Sequence, residues 1–378
     1  MLGKKLEFSG LTGVGHVQLD LEPDQHIYTF IGENGVGKTK TLEALFQVAF
    51  FSHKAVAESP IGYRKNILRF QELLRDSISA ISIDTKEESY YPASHWHKTF
   101  FPSMSHNLPA IFLGAQARGV IKGNGSSNSQ SFGIFKQRRE HYISEIIRKM
   151  ETDFSSLNMG TSIEEWFITL ARSSNPYQKK EDNRDVEIKT VIRLLSEIDN
   201  RIDPEFMEIS GDDRVSLKIE NQKRELSQLS SGFASILKLI QAIVSGYGYF
   251  TNETNLQNVK GIVFIDEIES HLHLTWQANI IPLLKTLFPN TTFYITTHSS
   301  IVLSQLKEGE AYKLYRDESG IVKSRKIEAP NKAALVDIMK DVFKVDLNQM
   351  KLENSHVNEQ QEAKNNLLQL LKQQEEKS

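Results

Sequence analysis

The chain contains no cysteine. That excludes disulfides, thiolate zinc sites and cysteine nucleophiles, and it fits a reducing cytoplasm. It has little net charge, since 45 Lys and Arg against 48 Asp and Glu give −3. Without a basic surplus it is not a general nucleic-acid coat protein, although a local basic patch stays open. It has no run of about 18 consecutive apolar residues, so no membrane contact is expected. Glu7 and Gly10 interrupt the first residues before any stretch of signal-peptide length, so a soluble cytoplasmic protein is expected. No sustained heptad pattern and no internal repeat occur, which excludes a long coiled coil. What remains is ordinary globular usage, 39% hydrophobic and 25% charged over 378 residues. That is too apolar for a disordered chain and long enough for one large domain or two closely joined ones.

The first 31 residues read as short strands: Leu6 and Phe8, then Val17, Leu19 and Leu21, then an apolar run over 27–31. A glycine-rich segment follows, and 41–51 is apolar at helical spacing through Leu42, Leu45, Phe46 and Ala49. The middle, 52–225, is mixed. Helices are expected over 67–74 and 141–154, a strand over 78–83, a short apolar run at 109–113, and a Gly/Ser/Asn loop over 119–133. A helix is expected over 233–244, a buried strand over 261–265, a helix over 273–287 and another buried strand over 292–297. The segment 351–378 is rich in Gln, Glu and Lys and carries Leu367, Leu368, Leu370 and Leu371. It reads as a polar tail, either a solvated helix or one that binds a partner.

Four segments carry chemistry. Residues 32–39 spell Gly-Glu-Asn-Gly-Val-Gly-Lys-Thr, which fits G-x-x-x-x-G-K-[ST] between a strand and a helix. Glycines there let backbone N–H groups turn inward around phosphates. Lys38 then reaches the β- and γ-phosphates, Thr39 ligates Mg²⁺, and the helix start adds its dipole. Asn34, Gly35, Gly37 and Lys40 complete the candidate nucleotide contacts. Residues 262–267 are four apolar residues followed by Asp266 and Glu267. A buried strand of this kind delivers Asp266 to Mg²⁺ and places Glu267 to orient or deprotonate a water. His298 ends the next apolar strand, where an imidazole can contact a γ-phosphate. Ser230, Ser231 and Gly232 open an apolar helix; they suit a phosphate, and they equally suit an ordinary N-cap.

Together these segments resemble the ATP-binding-cassette ATPases, and within them the RecF/SMC/OLD branch. The likeness covers residues 1–50 and 226–300. The stretch Asp266-Glu267-Ile268-Glu269-Ser270-His271-Leu272-His273-Leu274 is similar to the acidic, His-Leu-His segment of the OLD-like proteins, with Ile268 and Leu274 where proline is common there. The sequence Leu-Ser-Ser-Gly-Phe at 229–233 departs from the branch's Leu-Ser-Gly-Gly pattern at Ser231. The resemblance implies an α/β phosphate-loop NTPase: a mixed, largely parallel sheet flanked by helices, an N-terminal antiparallel β subdomain and a mainly helical insertion. It implies one head over 1–350, with the insertion inside 52–225 and the tail at 351–378. It implies ATP and Mg²⁺ as ligands, and two copies pairing head-to-tail with nucleotide between residues 32–39 of one and Ser230–Gly232 of the other. It also implies a glutamine contacting the metal; Gln116, after the apolar run of 110–113, is the candidate, with Arg118 close by. His271 and His273 would then lie at the dimer interface.

Other clusters read less specifically. His95, His97 and His106 could form a metal site, but no carboxylate lies near them in sequence. Lys136, Arg138, Arg139, Arg148 and Lys149 read as a solvated helix face or as a contact for nucleic acid or an acidic partner. No Asp-x-Asp pair of a Toprim nuclease follows His298. The expectation is a head that acts through something else, as in the ATPases of anti-phage systems such as Septu, PARIS and retron modules, where a separate nuclease or toxin is the effector. A RecF-like repair ATPase and an ATP-binding scaffold with little turnover are the alternatives.

Overall fold

A computed structural model describes residues 2–59, 78, 80–84, 88–92, 103–118, 133–175, 177–179, 181–346, 349, 350 and 364. The expected helix at 67–74, His95, His97, the loop at 119–132 and the tail apart from residue 364 lie outside them. The chain divides into two compact units, Met1–Asn331 and Lys332–Ser378.

The first unit begins with strands β1 (Lys5–Leu11), β2 (Gly15–Asp20) and β3 (Ile27–Ile31). β1 and β2 bury alternate residues, whereas all five residues of β3 are buried, as suits a strand covered on both faces. Helices α1 (Lys38–Phe51) and α2 (Lys54–Ala57) follow, then β4 (Ala80–Asp84), β5 (Glu88–Pro92) and β6 (Ala110–Leu113). Three helices come next, α3 (Phe135–Thr152), α4 (Ile163–Ser173) and α5 (Asp185–Ile198). A separate antiparallel sheet of β7 (Ile202–Ile209), β8 (Val215–Ile219) and β9 (Gln222–Glu225) leads into α6 (Ser231–Phe250). Then come β10 (Gly261–Ile265), α7 (Leu274–Gln277), α8 (Ile280–Leu287), β11 (Thr291–Thr296), α9 (Ser300–Leu303), β12 (Ala311–Arg316) and β13 (Val322–Lys326). The second unit holds α10 (Leu335–Asp341).

Among the described residues, ten strands form one sheet in the order β5-β4-β1-β2-β13-β12-β3-β11-β10-β6. One half, β12-β3-β11-β10-β6, is parallel throughout. The other half is antiparallel from β2 outward to β5. This is the mixed α/β head that the family resemblance implies. Helix α1 packs against the parallel half. Phe46 meets Phe112 at 5.4 Å and Phe264 at 5.6 Å between ring centroids, with Phe154 edge-on at 6.0 Å. Such tilted and edge-to-face contacts are preferred by aromatic quadrupoles and fix the helix over the strands.

Several elements depart from the pattern that the sequence predicts. The helix expected over 273–287 is two helices, because Asn279 turns its side-chain amide back onto the Thr275 carbonyl at 2.8 Å and breaks the periodicity. The basic residues of α3 do not form a free stripe. Arg138 is buried and donates to the carbonyls of Gly133, Glu181 and Asp182. Lys136 and Lys149 pair with Glu140 and Glu145, and Arg139 lies over the Phe135 ring. Helix α6 is long and apolar enough to cross a membrane by length and composition, but 78% of that window is buried in the fold, so it is a core helix.

Candidate nucleotide site

The parallel half brings four strand ends to one edge. Ile265 of β10 pairs with Leu113 of β6 and with Ile295 of β11, while Thr296 of β11 pairs with Phe30 of β3. The loops after β3, β11, β10 and β6 therefore start level with one another. In open parallel sheets the carboxyl edge is where ligands bind.

The loop after β3 is shaped by its glycines. Gly37 has φ 106° and a Cβ there would lie 2.7 Å from a methyl of Val14. Gly32 passes so close to β12 that a Cβ would sit 2.5 Å from the Leu314 carbonyl oxygen. Side chains are excluded at both points, and the backbone N–H groups are left to line the cradle. Lys38 is buried, and its ammonium donates to the carbonyls of Gly32 and Glu33 at 2.9 Å each. Burial lowers its pKa, against the attraction of Asp266, Glu267 and Glu269. Asn34, Gly35 and Lys40 are exposed on the same loop and the first turn of α1, where Lys40 pairs with Glu43 at 2.7 Å.

Asp266 follows β10 and is buried. Its Oδ1 accepts from the Thr296 hydroxyl at 2.6 Å and from the Thr39 hydroxyl at 3.0 Å. Burial raises its pKa, while the bonds from Thr296 and Thr39 pull it down. The two oxygen donors, Thr39 hydroxyl and Asp266 carboxylate, are the hard ligands Mg²⁺ takes, and they touch across the loop. Among the described residues no group of three or more His, Asp or Glu residues could hold a metal ion by itself. A magnesium site here fits as one shared with phosphate oxygens.

Glu267 has the left-handed φ of 46°. Its N–H donates to Thr296 Oγ1 at 2.8 Å and its carboxylate accepts from the Ser270 hydroxyl at 3.0 Å. His298 is exposed beyond β11, and its backbone N–H donates to Glu269 at 2.5 Å. The other oxygen of Glu269 accepts from Thr297 at 2.6 Å. Gln116 is exposed on the loop after β6. Arg118, two residues on, is fully buried and donates to the carbonyls of Gly114, Asp266 and Glu267. The sequence offered Glu269 and Arg118 as neighbours of motif residues without revealing these bonds.

Ser230, Ser231 and Gly232 lie at the start of α6. Ser230 is the N-cap, accepting from the Phe233 N–H at 3.3 Å, and both serines are exposed. Gly232 is buried against the Trp276 and His273 rings. Among the described residues no hydrogen bond joins them to residues 32–39. His271 and His273 are exposed. His106 has a structural role: its Nδ1 accepts from the Leu108 N–H, so its Nε2–H donates to the Ala49 carbonyl at 2.8 Å.

A family model described as "AAA domain, putative AbiEii toxin, Type IV TA system" matches residues 27–304. The chain is similar to the Septu protein PtuA of Bacillus thuringiensis, 24% identical over 341 residues that cover 86% of this chain and 78% of that protein. It is also similar to the Retron Ec83 probable ATPase of Escherichia coli, 39% identical over 29% of this chain and 22% of that protein. The Retron Vc95 probable ATPase of Vibrio cholerae is 27% identical over 48% of this chain and 37% of that protein. Among solved structures, the SMC head domain from Thermotoga maritima aligns with a TM-score of 0.44 and 14% identity, covering 87% of this chain and all of that one.

Proposed function

The chain belongs to this AAA-domain family, and from that membership we propose that it is a Mg²⁺-dependent ATPase that pairs head-to-tail on ATP and governs a separate nuclease or toxin in anti-phage defence. The observation that carries the reading is the level edge at which Lys38, Thr39, Asp266, Glu267 and His298 all stand. The likeness to a Septu protein and to retron ATPases supports the defence role.

Lys38 exchanges its two backbone carbonyls for phosphate oxygens when ATP binds. Thr39 and Asp266 would hold the metal from the protein side, and Gln116 would join them from the loop after β6. Bound magnesium supplies positive charge that offsets the charge growing on the phosphate oxygens. Glu267 orients a water for in-line attack and accepts its proton. His298 contacts the γ-phosphate. Ser230–Gly232 of a second copy complete the site from the α6 N-terminus.

Glu267→Gln tests the hydrolytic part. Turnover of the purified chain falls about 10²–10³-fold, while size-exclusion chromatography with light scattering shows an ATP-dependent dimer that outlasts the wild-type one. Equal turnover in both proteins would refute the assignment of the water-activating acid. The effector part is tested by co-purification with the products of neighbouring genes; a chain that brings down none of them acts by another route.

A further inference from the structure

We propose that Arg118 is a positioning residue that fastens the loop bearing Gln116 to the Asp266–Glu267 turn, by donating to carbonyls of both segments at once. The inference rests on the ATPase reading above. Two parallel strands, β6 and β10, end here side by side, and strand ends leave carbonyls without ladder partners. Arg118 answers them from a side chain that is 0% exposed. Its Nε donates to the Gly114 carbonyl at 3.0 Å, Nη1 to the Glu267 carbonyl at 2.6 Å, and Nη2 to the Asp266 carbonyl. A planar guanidinium spreads its donors in a fixed fork, which lets one side chain serve three carbonyls from two segments.

The consequence falls on Glu267. Its backbone is left-handed, a conformation that a side-chain-bearing residue holds only when its surroundings enforce it. Thr296 fixes the residue's N–H at 2.8 Å, and its carbonyl is shared by Arg118 and the Ser270 N–H, the latter at 2.9 Å. The direction of the Glu267 side chain is thus set from both ends. The buried cation also lies near three carboxylates. Burial pulls its pKa down to about 10, against Asp266, Glu269 and Glu267 in that order, so it stays charged at neutral pH. The loop is itself anchored to the segment after α3: the Gly114 N–H donates to the Leu157 carbonyl and the Gln116 N–H to the Ser155 carbonyl, each at 3.1 Å. Displacement of the helical insertion would reach Glu267 through Arg118.

Arg118→Lys and Arg118→Gln test this with three readouts: thermal melting, ATP affinity and kcat. The expected result for Arg118→Lys is a fall in kcat of about 10²-fold with ATP Kd changed by less than about 3-fold. Arg118→Gln, which removes the charge and shortens the span of donors, lowers kcat at least as far, again with ATP Kd changed by less than about 3-fold. In a Glu267→Gln background, Arg118→Lys lowers single-turnover hydrolysis by less than a further factor of about 3. Full multiplication of the two effects, an unchanged kcat, or loss of activity that tracks loss of folded protein in both variants overturns the proposal. A wild-type chain that neither binds nor hydrolyses ATP overturns the ATPase reading itself, a result separable from wild-type turnover that Arg118 does not affect.

Discussion

Lys38→Met separates nucleotide binding from stability more sharply than any other change at this edge. In the free protein the ammonium makes two bonds to carbonyls, at 2.9 Å each, inside a site that burial makes unfavourable for charge. Charge-assisted bonds contribute about 1.5–3 kcal/mol each, and the desolvation they offset is of similar size. The two terms oppose, so the Tm of the free protein should move by less than about 2 °C. With ATP the balance is different. At a ligand concentration about 100 times Kd, linkage adds about 2.7 kcal/mol to the wild type. An unfolding entropy of about 2.1 cal/mol/K per residue over 378 residues amounts to about 0.8 kcal/mol/K, so that linkage raises Tm by about 3 °C. Losing the lysine's phosphate contacts weakens binding by at least about 10²-fold. The same ATP then adds about 0.4 kcal/mol, or half a degree. Differential scanning fluorimetry of both proteins, with and without Mg²⁺·ATP, measures this directly. An ATP-induced shift that is the same in wild type and variant would mean that nucleotide does not sit in the loop of residues 32–39.

His298→Ala should leave ATP affinity within a few-fold and slow turnover by about 10²–10³-fold, read from equilibrium binding beside steady-state kinetics. Asp266→Asn should raise the Tm of the free protein by about 1–3 °C at neutral pH and abolish the Mg²⁺-dependent part of ATP affinity. The sign follows from the raised folded pKa: the unfolded carboxyl ionises first, so the native state loses stability as pH climbs above about 4, and the amide removes that cost. His53→Gln should flatten the acid side of the Tm profile. Burial, then the neighbouring His106, pull the His53 pKa down to about 3, so native stability is whole above the unfolded value near 6.5 and is lost as pH falls from there toward 3. A melt series from pH 7.5 to 4 with the same slope in variant and wild type would discount that histidine.

The nucleotide edge was legible because each of its parts is a local pattern. Apolar runs at 27–31, 261–265 and 292–297 mark buried parallel strands, and they occur as β3, β10 and β11 within one residue. The glycines at 32, 35 and 37 announce a backbone that side chains cannot follow. What the pattern could not carry was pairing over long separations. Arg118 reads as a loop residue, and its role depends on carbonyls nearly 150 residues away. Glu269 reads as one more acid in a polar stretch, and it clasps the loop of His298 from across the sheet edge. The sheet β7-β8-β9 escaped because its two outer strands are largely exposed and charged, which leaves the alternation of Val215, Leu217 and Ile219 in the short central strand isolated. Arg138 reads as one of a basic set on a helix, solvated or facing a partner, whereas the turn at 181–182 supplies carbonyls that let it be buried.

The ionised groups at this edge are placed where none is comfortable. Burial disfavours the charged forms of Lys38, Arg118 and Asp266 alike. The carboxylates offset part of that cost for Lys38 and Arg118, and the Thr296 and Thr39 hydroxyls, then Arg118, offset part of it for Asp266, so the formal charges alternate Lys38 and Arg118 with Asp266, Glu267 and Glu269. Those five charges sum to −1. A bare triphosphate brought to the loop meets the attraction of Lys38 and the backbone N–H groups, but also the repulsion of three carboxylates. A bare divalent cation meets the carboxylates, but also two buried cations. On the proposed reading, nucleotide and metal arriving together would satisfy both halves: the phosphates would take Lys38 and the loop, and the metal Thr39 and Asp266. Coupling of the two ligands would then follow from how the charges alternate across the strand ends, and the proposed part of Arg118, bonded to the Asp266 and Glu267 carbonyls, would be to keep the acidic half in place.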